Sequence, residues 1–119
     1  MNVQQLLLPL IEQLDALAHT VNESPYISRE GRLAISKEID ALSHRLREGE
    51  LSYVQGESSL ENLNKKAATD EVMSLASKIR QLNPTSPRLE ILRNITEQLY
   101  SKEISPVQAR KKLQELMQA

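Results

Sequence analysis

Apolar residues recur along this chain at intervals of three and four, a spacing that puts them on one face of an α-helix. The pattern is clearest near the N-terminus, where an apolar stripe extends over three heptads and predicts an amphipathic helix from about residue 3 to 21. Pro9 interrupts this pattern, so the helix either starts near Leu8 or has a kinked first turn. The stripe consists of Leu7, Leu10, Leu14, Leu17 and Val21.

A second helix is predicted from Arg29 to Glu48. Ser28 stands before it as an N-cap candidate, because a serine hydroxyl accepts a hydrogen bond from the unpaired amides of a first helical turn. Gly49 stands where a left-handed residue commonly ends a helix. The apolar face of this helix is formed by Ile35, Ile39, Leu42 and Leu46.

The third predicted helix begins after Ser52. Ser52 and Gln55 have the spacing of a capping box, in which each side chain bonds the backbone amide of the other residue. The apolar stripe changes phase near Thr69, which is itself an N-cap candidate. The pattern therefore leaves open whether residues 53–82 form one bent helix or two.

The clearest break in the chain lies at residues 83–87, where two prolines three positions apart forbid a continuous helix. A new helix is predicted with Ser86 as N-cap and Pro87 at its first position. The last helix has the same arrangement at Ser105 and Pro106. We therefore expect an all-α bundle of five or six helices without a sheet.

A shift of 53 residues superposes two segments of similar pattern. Residues 50–55 match residues 103–108, and the apolar positions before and after them match as well. We interpret this as two similar αα-hairpins plus an N-terminal amphipathic helix, which pack on each other, on the first helix or on a second chain. The chain is expected to be one domain, 1–119, with sub-units 1–24, 28–82 and 86–119.

The last hairpin resembles SHOCT, a short helical hairpin found at the ends of many bacterial proteins. The shared features are the aliphatic–serine turn at Ile104 and Ser105, a lysine in the final helix at Lys112, and two closing apolar residues. Lys102 stands where that family has glycine, and Ala109 where it has an aromatic residue, so the resemblance does not assign a family. It implies an interaction or oligomerisation element rather than chemistry.

Composition excludes several kinds of chemistry. The chain has no cysteine, which removes disulfides, thiol nucleophiles and thiolate metal sites. Its two histidines, His19 and His44, lie on different predicted helices, and neither has a second histidine three or four residues away. No glycine-rich phosphate loop is present. We therefore expect no enzymatic activity, no metal, no cofactor and no small-molecule substrate.

The net charge of −1 gives no global attraction to nucleic acid or to an anionic membrane. The charge is unevenly divided, because residues 1–60 carry five basic and nine acidic side chains and residues 61–119 carry ten and seven. Two basic clusters in the second half are candidates for phosphate contact. They comprise Lys65, Lys66, Arg110, Lys111 and Lys112.

No apolar run reaches the length of a membrane span, and the acidic Glu12 and Asp15 interrupt the N-terminal run too early for a signal peptide. We therefore expect a cytoplasmic protein of bacterial type. The favoured function is a helical adaptor, regulator or chaperone-like module. It would bind another protein, or a second copy in a homodimer, through the stripe on the first helix. The alternative is a small nucleic-acid-associated regulator that uses the two basic clusters.

Overall fold

A computed structural model describes residues 3–118, with side chains from Leu7 onward, and this part of the chain forms five α-helices and no strand. The all-α fold class predicted from the apolar periodicity is therefore confirmed. Helix α1 continues through Pro9. None of the described helices is both long and apolar enough to cross a membrane. The helices are α1 (Val3–Glu23), α2 (Arg29–Arg47), α3 (Tyr53–Leu82), α4 (Arg88–Tyr100) and α5 (Pro106–Gln118).

The molecule is elongated, with extents of 55 × 27 × 20 Å, and its buried apolar residues form two clusters. Helices α1 and α2 pack on each other and on α3, and helices α4 and α5 pack on each other and on α3. The first cluster ends at Ala67 and the second begins at Ala68. The core thus divides inside α3 rather than at the loops that the sequence suggested, and α3 belongs to two three-helix bundles.

Residues 53–82 form a single helix of 30 residues. The phase of its apolar stripe changes near Thr69 because the helix packs on α1 and α2 over its first half and on α4 and α5 over its second. Thr69 is not an N-cap. Its hydroxyl donates to the carbonyl of Lys65 at 2.8 Å, the bond to the preceding turn that a threonine inside a helix can make.

Three of the predicted N-caps accept the expected hydrogen bonds. Ser28 accepts from the amide of Gly31, and Ser52 and Ser105 each form both bonds of a capping box. Ser86 differs, since α4 begins one residue later than predicted, at Arg88. The Ser86 hydroxyl still accepts from the Arg88 amide at 3.3 Å.

The turns after α2 and α4 have the same backbone geometry, 53 residues apart. Gly49 and Lys102 are the only described residues with positive φ, at 73° and 64°. Each lies in the left-handed position that ends a helix, and the surrounding amides return to the same carbonyls of the last turn. The matched bonds are Gly49 to Leu46 and Glu50 to Arg45 in the first turn, and Lys102 to Leu99 and Glu103 to Gln98 in the second.

Candidate binding surface

The predicted partner-binding stripe on α1 lies inside the chain's own core. Its five residues have exposed fractions of 5% or less and belong to the first apolar cluster. A side chain with so little exposed area has no surface to offer a partner unless the bundle opens. This placement corrects the sequence interpretation, because an amphipathic stripe signals burial but does not say what covers it. The residues are Leu7, Leu10, Leu14, Leu17 and Val21.

A buried ion pair holds α5 to the middle of α3. Nε of Arg110 lies 2.9 Å from Oε1 of Glu71, and the two side chains are 17% and 5% exposed. Arg110 also donates from Nη1 to Oδ1 of Asn64 at 2.8 Å. The hydroxyl of Ser24, just after α1, donates to Oε2 of Glu71 at 3.0 Å. One carboxylate therefore links α1, α3 and α5.

The neighbouring carboxylate, Asp70, holds the start of α2. Its two oxygens accept from the amide and the hydroxyl of Ser28, at 2.7 and 2.9 Å. The Ser28 hydroxyl in turn accepts from the amide of Gly31. A β-carbon at Gly31 would collide with the Asp70 carboxylate, so glycine permits this close approach of α2 to α3. The loop between α1 and α2 is thereby fixed to α3 by side chains at consecutive positions.

The structure does not gather the predicted phosphate-binding residues into one groove. Arg110 lines a groove between α1, α3 and α5, and its charge is already paired with Glu71. Lys65 and Lys66 line a different depression, between α2, α3 and α4. Lys111 and Lys112 are exposed on α5 and line neither of these two grooves. The geometry therefore does not favour nucleic-acid binding by one continuous basic surface.

Three adjoining depressions follow one side of α3, and we call them together the α3 trough. The central one, of about 380 Å³, lies over α3 between the start of α2 and the end of α4. It shares Asn62 and Lys66 with the depression towards the N-terminal end of α3, and Met73 with the one towards the C-terminal end. The trough therefore follows α3 from Ser59 to Arg80.

The central depression is lined by apolar and polar residues in equal number, and its two large exposed apolar side chains are Met73 and Tyr100. Met73 on α3 and Tyr100 on α4 line it and are 56% and 63% exposed. Gly31, Ala34 and Ile35 form its α2 side, and the Asp70 carboxylate occupies the space next to Gly31. Large apolar side chains that converge on one exposed depression are typical of a binding surface rather than of an ordinary solvated face.

The charges along the trough are mostly paired within the chain. Lys66 pairs with Glu38 at 2.9 Å, and Arg93 lies 3.5–3.6 Å from carboxylates on its own helix. Two cations have no carboxylate partner among the described residues. Lys65 lies 5.6 Å from the centre of the Tyr100 ring, and Arg80 is exposed at the far end of the trough. Asp70 likewise accepts only from Ser28, and Glu90 and Glu97 share Arg93, so the charges along the trough nearly balance.

Sequence reasoning identified Lys65 and Lys66 but missed Met73 and Tyr100. Each of the two missed residues directly follows a buried apolar residue of the same helix, Val72 or Leu99. An apolar residue one position away from a buried one points about 100° away from the core. Off-stripe apolar residues were thus the available signal, although only the packing of α4 beside α3 brings these two together.

Within the described part of the chain, no three His, Asp or Glu side chains are grouped so that they could hold a metal ion. Comparison with models of known protein families, with curated proteins and with solved structures finds no match for this chain.

Proposed function

We propose that this chain is a non-enzymatic protein–protein interaction module, an adaptor or regulator that binds its partner in the α3 trough. The observation that carries the proposal is the exposure of Met73 and Tyr100 at 56% and 63% in one shared depression. Leaving these side chains in water forgoes the free energy gained by burying them, and a partner that covers them recovers it. The α1 stripe, by contrast, is buried and contributes to the core of the chain.

The kinds of residue in the depression support the proposal. Methionine has a flexible and polarisable side chain that adapts to different partner surfaces. Tyrosine is enriched at protein interfaces because it offers a large apolar face together with a polar end. Ala34 beside them is small and exposed, so that a partner can approach α2 closely there. Such a surface provides contact area and a shape that a partner can match. Binding of this kind needs no nucleophile, general base or cofactor site.

We also propose that the pairs α2–α3 and α4–α5 are two copies of one αα-hairpin. The shared turn geometry at Gly49 and Lys102 supports this, together with the capping boxes at Ser52 and Ser105. A buried small residue follows each capping box four positions after its serine, at Gly56 and Ala109. The first copy packs on α1 as its third helix, and the second copy packs on the second half of α3. Their outer faces therefore differ, and only the first copy contributes Gly31 to the trough.

Cytoplasmic localisation and bacterial origin stay predictions from the sequence, and so does assembly with a second copy of the chain. Nucleic-acid binding is the weaker candidate because Arg110 is paired with Glu71 inside the molecule. The two functions differ in their response to salt. Phosphate contacts weaken steeply as the salt concentration rises, whereas burial of apolar surface does not.

Site-specific photo-cross-linking in the source cells tests the proposed function. A benzophenone amino acid is placed at Met73, at Tyr100, or at Val54, which is 74% exposed and does not line the trough. We expect one and the same protein adduct from Met73 and Tyr100, and none of it from Val54. An adduct of equal yield from all three positions, or no adduct from the two trough positions, would contradict the proposal. An adduct with twice the mass of the chain would identify a second copy as the partner.

A further inference from the structure

We infer, on the basis of the proposed function, that the loop between α1 and α2 is a strap that holds one wall of the α3 trough in place for the partner. The strap consists of residues 24–28, none of which lines the trough. It fixes the separation of α2 and α4 across the central depression. Release of the strap therefore weakens binding at Met73 and Tyr100 although it removes no contact there. This goes beyond the proposed function because it assigns control of the site to residues outside it.

The two walls of the central depression belong to different bundles. Gly31 and Ala34 line it from α2, which belongs to the first bundle, whereas Tyr100 lines it from α4 in the second. Within the described part of the chain, α2 and α4 do not pack on each other. Direct contact between the walls therefore does not set the width of the depression, which depends on how each wall is attached to α3.

The strap enters both cores and bonds to α3. Ile27 is buried in the first apolar cluster, and its neighbour Tyr26 packs against the second. The Ser24 hydroxyl donates to Oε2 of Glu71 at 3.0 Å. Glu71 lies on the side of the second bundle, since the second cluster begins at Ala68. A segment of five residues thus attaches the first bundle to the second.

The last residue of the strap is attached beside the α2 wall. Ser28 is the N-cap of α2, and its amide and hydroxyl donate to the two oxygens of Asp70 at 2.7 and 2.9 Å. Asp70 itself lines the central depression. The first buried residue of α2 is Ile35, so Gly31 and Ala34 precede the part of the helix that the core holds. The strap therefore holds the first turns of α2, where the wall is formed.

Release of the strap would loosen this wall and leave the rest of the bundle in place. From Ile35 onward α2 stays packed in the first core through its buried apolar face. A helix end without such packing opens at a small cost in free energy. A partner that meets a mobile wall has to order it on binding, and this cost weakens the complex. Docking of the strap and occupancy of the trough therefore favour each other.

Electron paramagnetic resonance measures the separation of the walls. The chain has no cysteine, so Leu33→Cys on α2 and Asn94→Cys on α4 accept one pair of spin labels, at exposed positions that do not line the trough. We expect a narrow distance distribution for this chain and a broader, shifted one after Tyr26→Ala with Ser28→Ala. Tyr26→Phe should keep the narrow distribution, because the Tyr26 hydroxyl has no hydrogen bond among the described residues and its ring makes the contact.

The benzophenone at Met73 measures the consequence for binding. After Tyr26→Ala with Ser28→Ala we expect the yield of the Met73 adduct to fall by about threefold or more, since the partner then has to order the wall. Tyr53→Ala is the matched control, because Tyr53 is 42% exposed, belongs to neither apolar cluster and does not line the trough. It should leave the distance distribution and the adduct unchanged. Circular dichroism monitors folding, and Ser28→Ala alone repeats both measurements if the double variant loses helix.

The other outcomes separate the strap from the proposed function. An unchanged distance distribution in a folded strap variant would overturn the inference, because something other than the strap would then hold the walls. A broader distribution with an unchanged adduct would also overturn it, since binding would not depend on the wall. Equal effects of Tyr53→Ala would replace the strap with a general loss of stability. Absence of any Met73 adduct from the unmodified chain would contradict the proposed function instead, and the distance distribution would still decide whether the strap holds α2.

Discussion

Arg110 and Glu71 form an ion pair of 2.9 Å that joins α5 to α3 three residues beyond the start of the second apolar core. Glu71 also accepts a hydrogen bond from Ser24, so the same carboxylate connects the second bundle to the end of α1. The pair therefore joins the two bundles, together with the hydrogen bonds from Ser28 to Asp70 and the Tyr26 side chain, which reaches the second core from the loop after α1.

Replacing Arg110 with alanine is expected to lower the free energy of unfolding by about 3 kcal/mol, because the substitution leaves the buried Glu71 carboxylate without its cation. Urea denaturation measures the loss. Lys111→Ala is the matched control on the same helix and should change stability by less than about 0.5 kcal/mol, since Lys111 is exposed and has no partner among the described residues. Equal losses at the two positions would show that the pair contributes nothing specific.

Gly31→Ala is expected to destabilise the chain by about 1–3 kcal/mol, because the added β-carbon would displace the Asp70 carboxylate from Ser28. In an Asp70→Ala background the sign should reverse. There the alanine meets no carboxylate and improves the helix propensity of α2 by up to about 1 kcal/mol. Thermal unfolding of the four chains gives this double-mutant cycle. Additive effects would show that Gly31 and Asp70 do not constrain each other.

Lys102→Gly is expected to stabilise the chain by about 1 kcal/mol, because Lys102 occupies a left-handed conformation that favours glycine. The equivalent position in the first turn has glycine already, so Gly49→Ala should destabilise by a similar amount. A β-carbon at Gly49 meets no atom within 4 Å, which restricts the effect to the backbone. Denaturant titration of both variants measures the two changes in unfolding free energy. Effects of the same sign would contradict the equivalence of the two turns.

The helices were predictable because their signals are local. The serine–glutamine boxes at Ser52 and Ser105 and the apolar stripes lie within a few residues of the structures that they specify. The burial of Glu71 was not predictable in this way. Its partners Ser24 and Arg110 are 47 and 39 residues distant, and nothing in the sequence around a mid-helix glutamate marks it as buried.

Two further features were unpredictable for the same reason: which helices cover the apolar stripe of α1, and the existence of the α3 trough. An apolar stripe such as that containing Leu14 must be buried, but the identity of its cover is a tertiary property. Likewise, Met73 and Tyr100 are 27 residues apart and lie beside one depression only because α4 folds back along α3. Periodicity therefore determined the fold class here, while the candidate site required the packing.

Leu14→Asp is expected to unfold the first bundle, because Leu14 has no exposed area and an unpaired buried charge is strongly destabilising. Circular dichroism should show a large loss of helix. Leu8→Asp on the same helix is the control, since Leu8 is 52% exposed and should retain the fold. A helical monomer after Leu14→Asp would contradict the intramolecular packing and would restore the α1 stripe as a partner surface.

The affinity of the partner cross-linked at Met73 tests the central claim, that the α3 trough is the binding surface, most directly. Calorimetry would compare the dissociation constant for the unmodified chain, for Met73→Asp, and for Val54→Asp, whose exposed residue does not line the trough. We expect binding weaker by about tenfold or more for Met73→Asp, with an unfolding free energy within about 0.5 kcal/mol of the unmodified chain, and unchanged binding for Val54→Asp. An unchanged dissociation constant for Met73→Asp would contradict it.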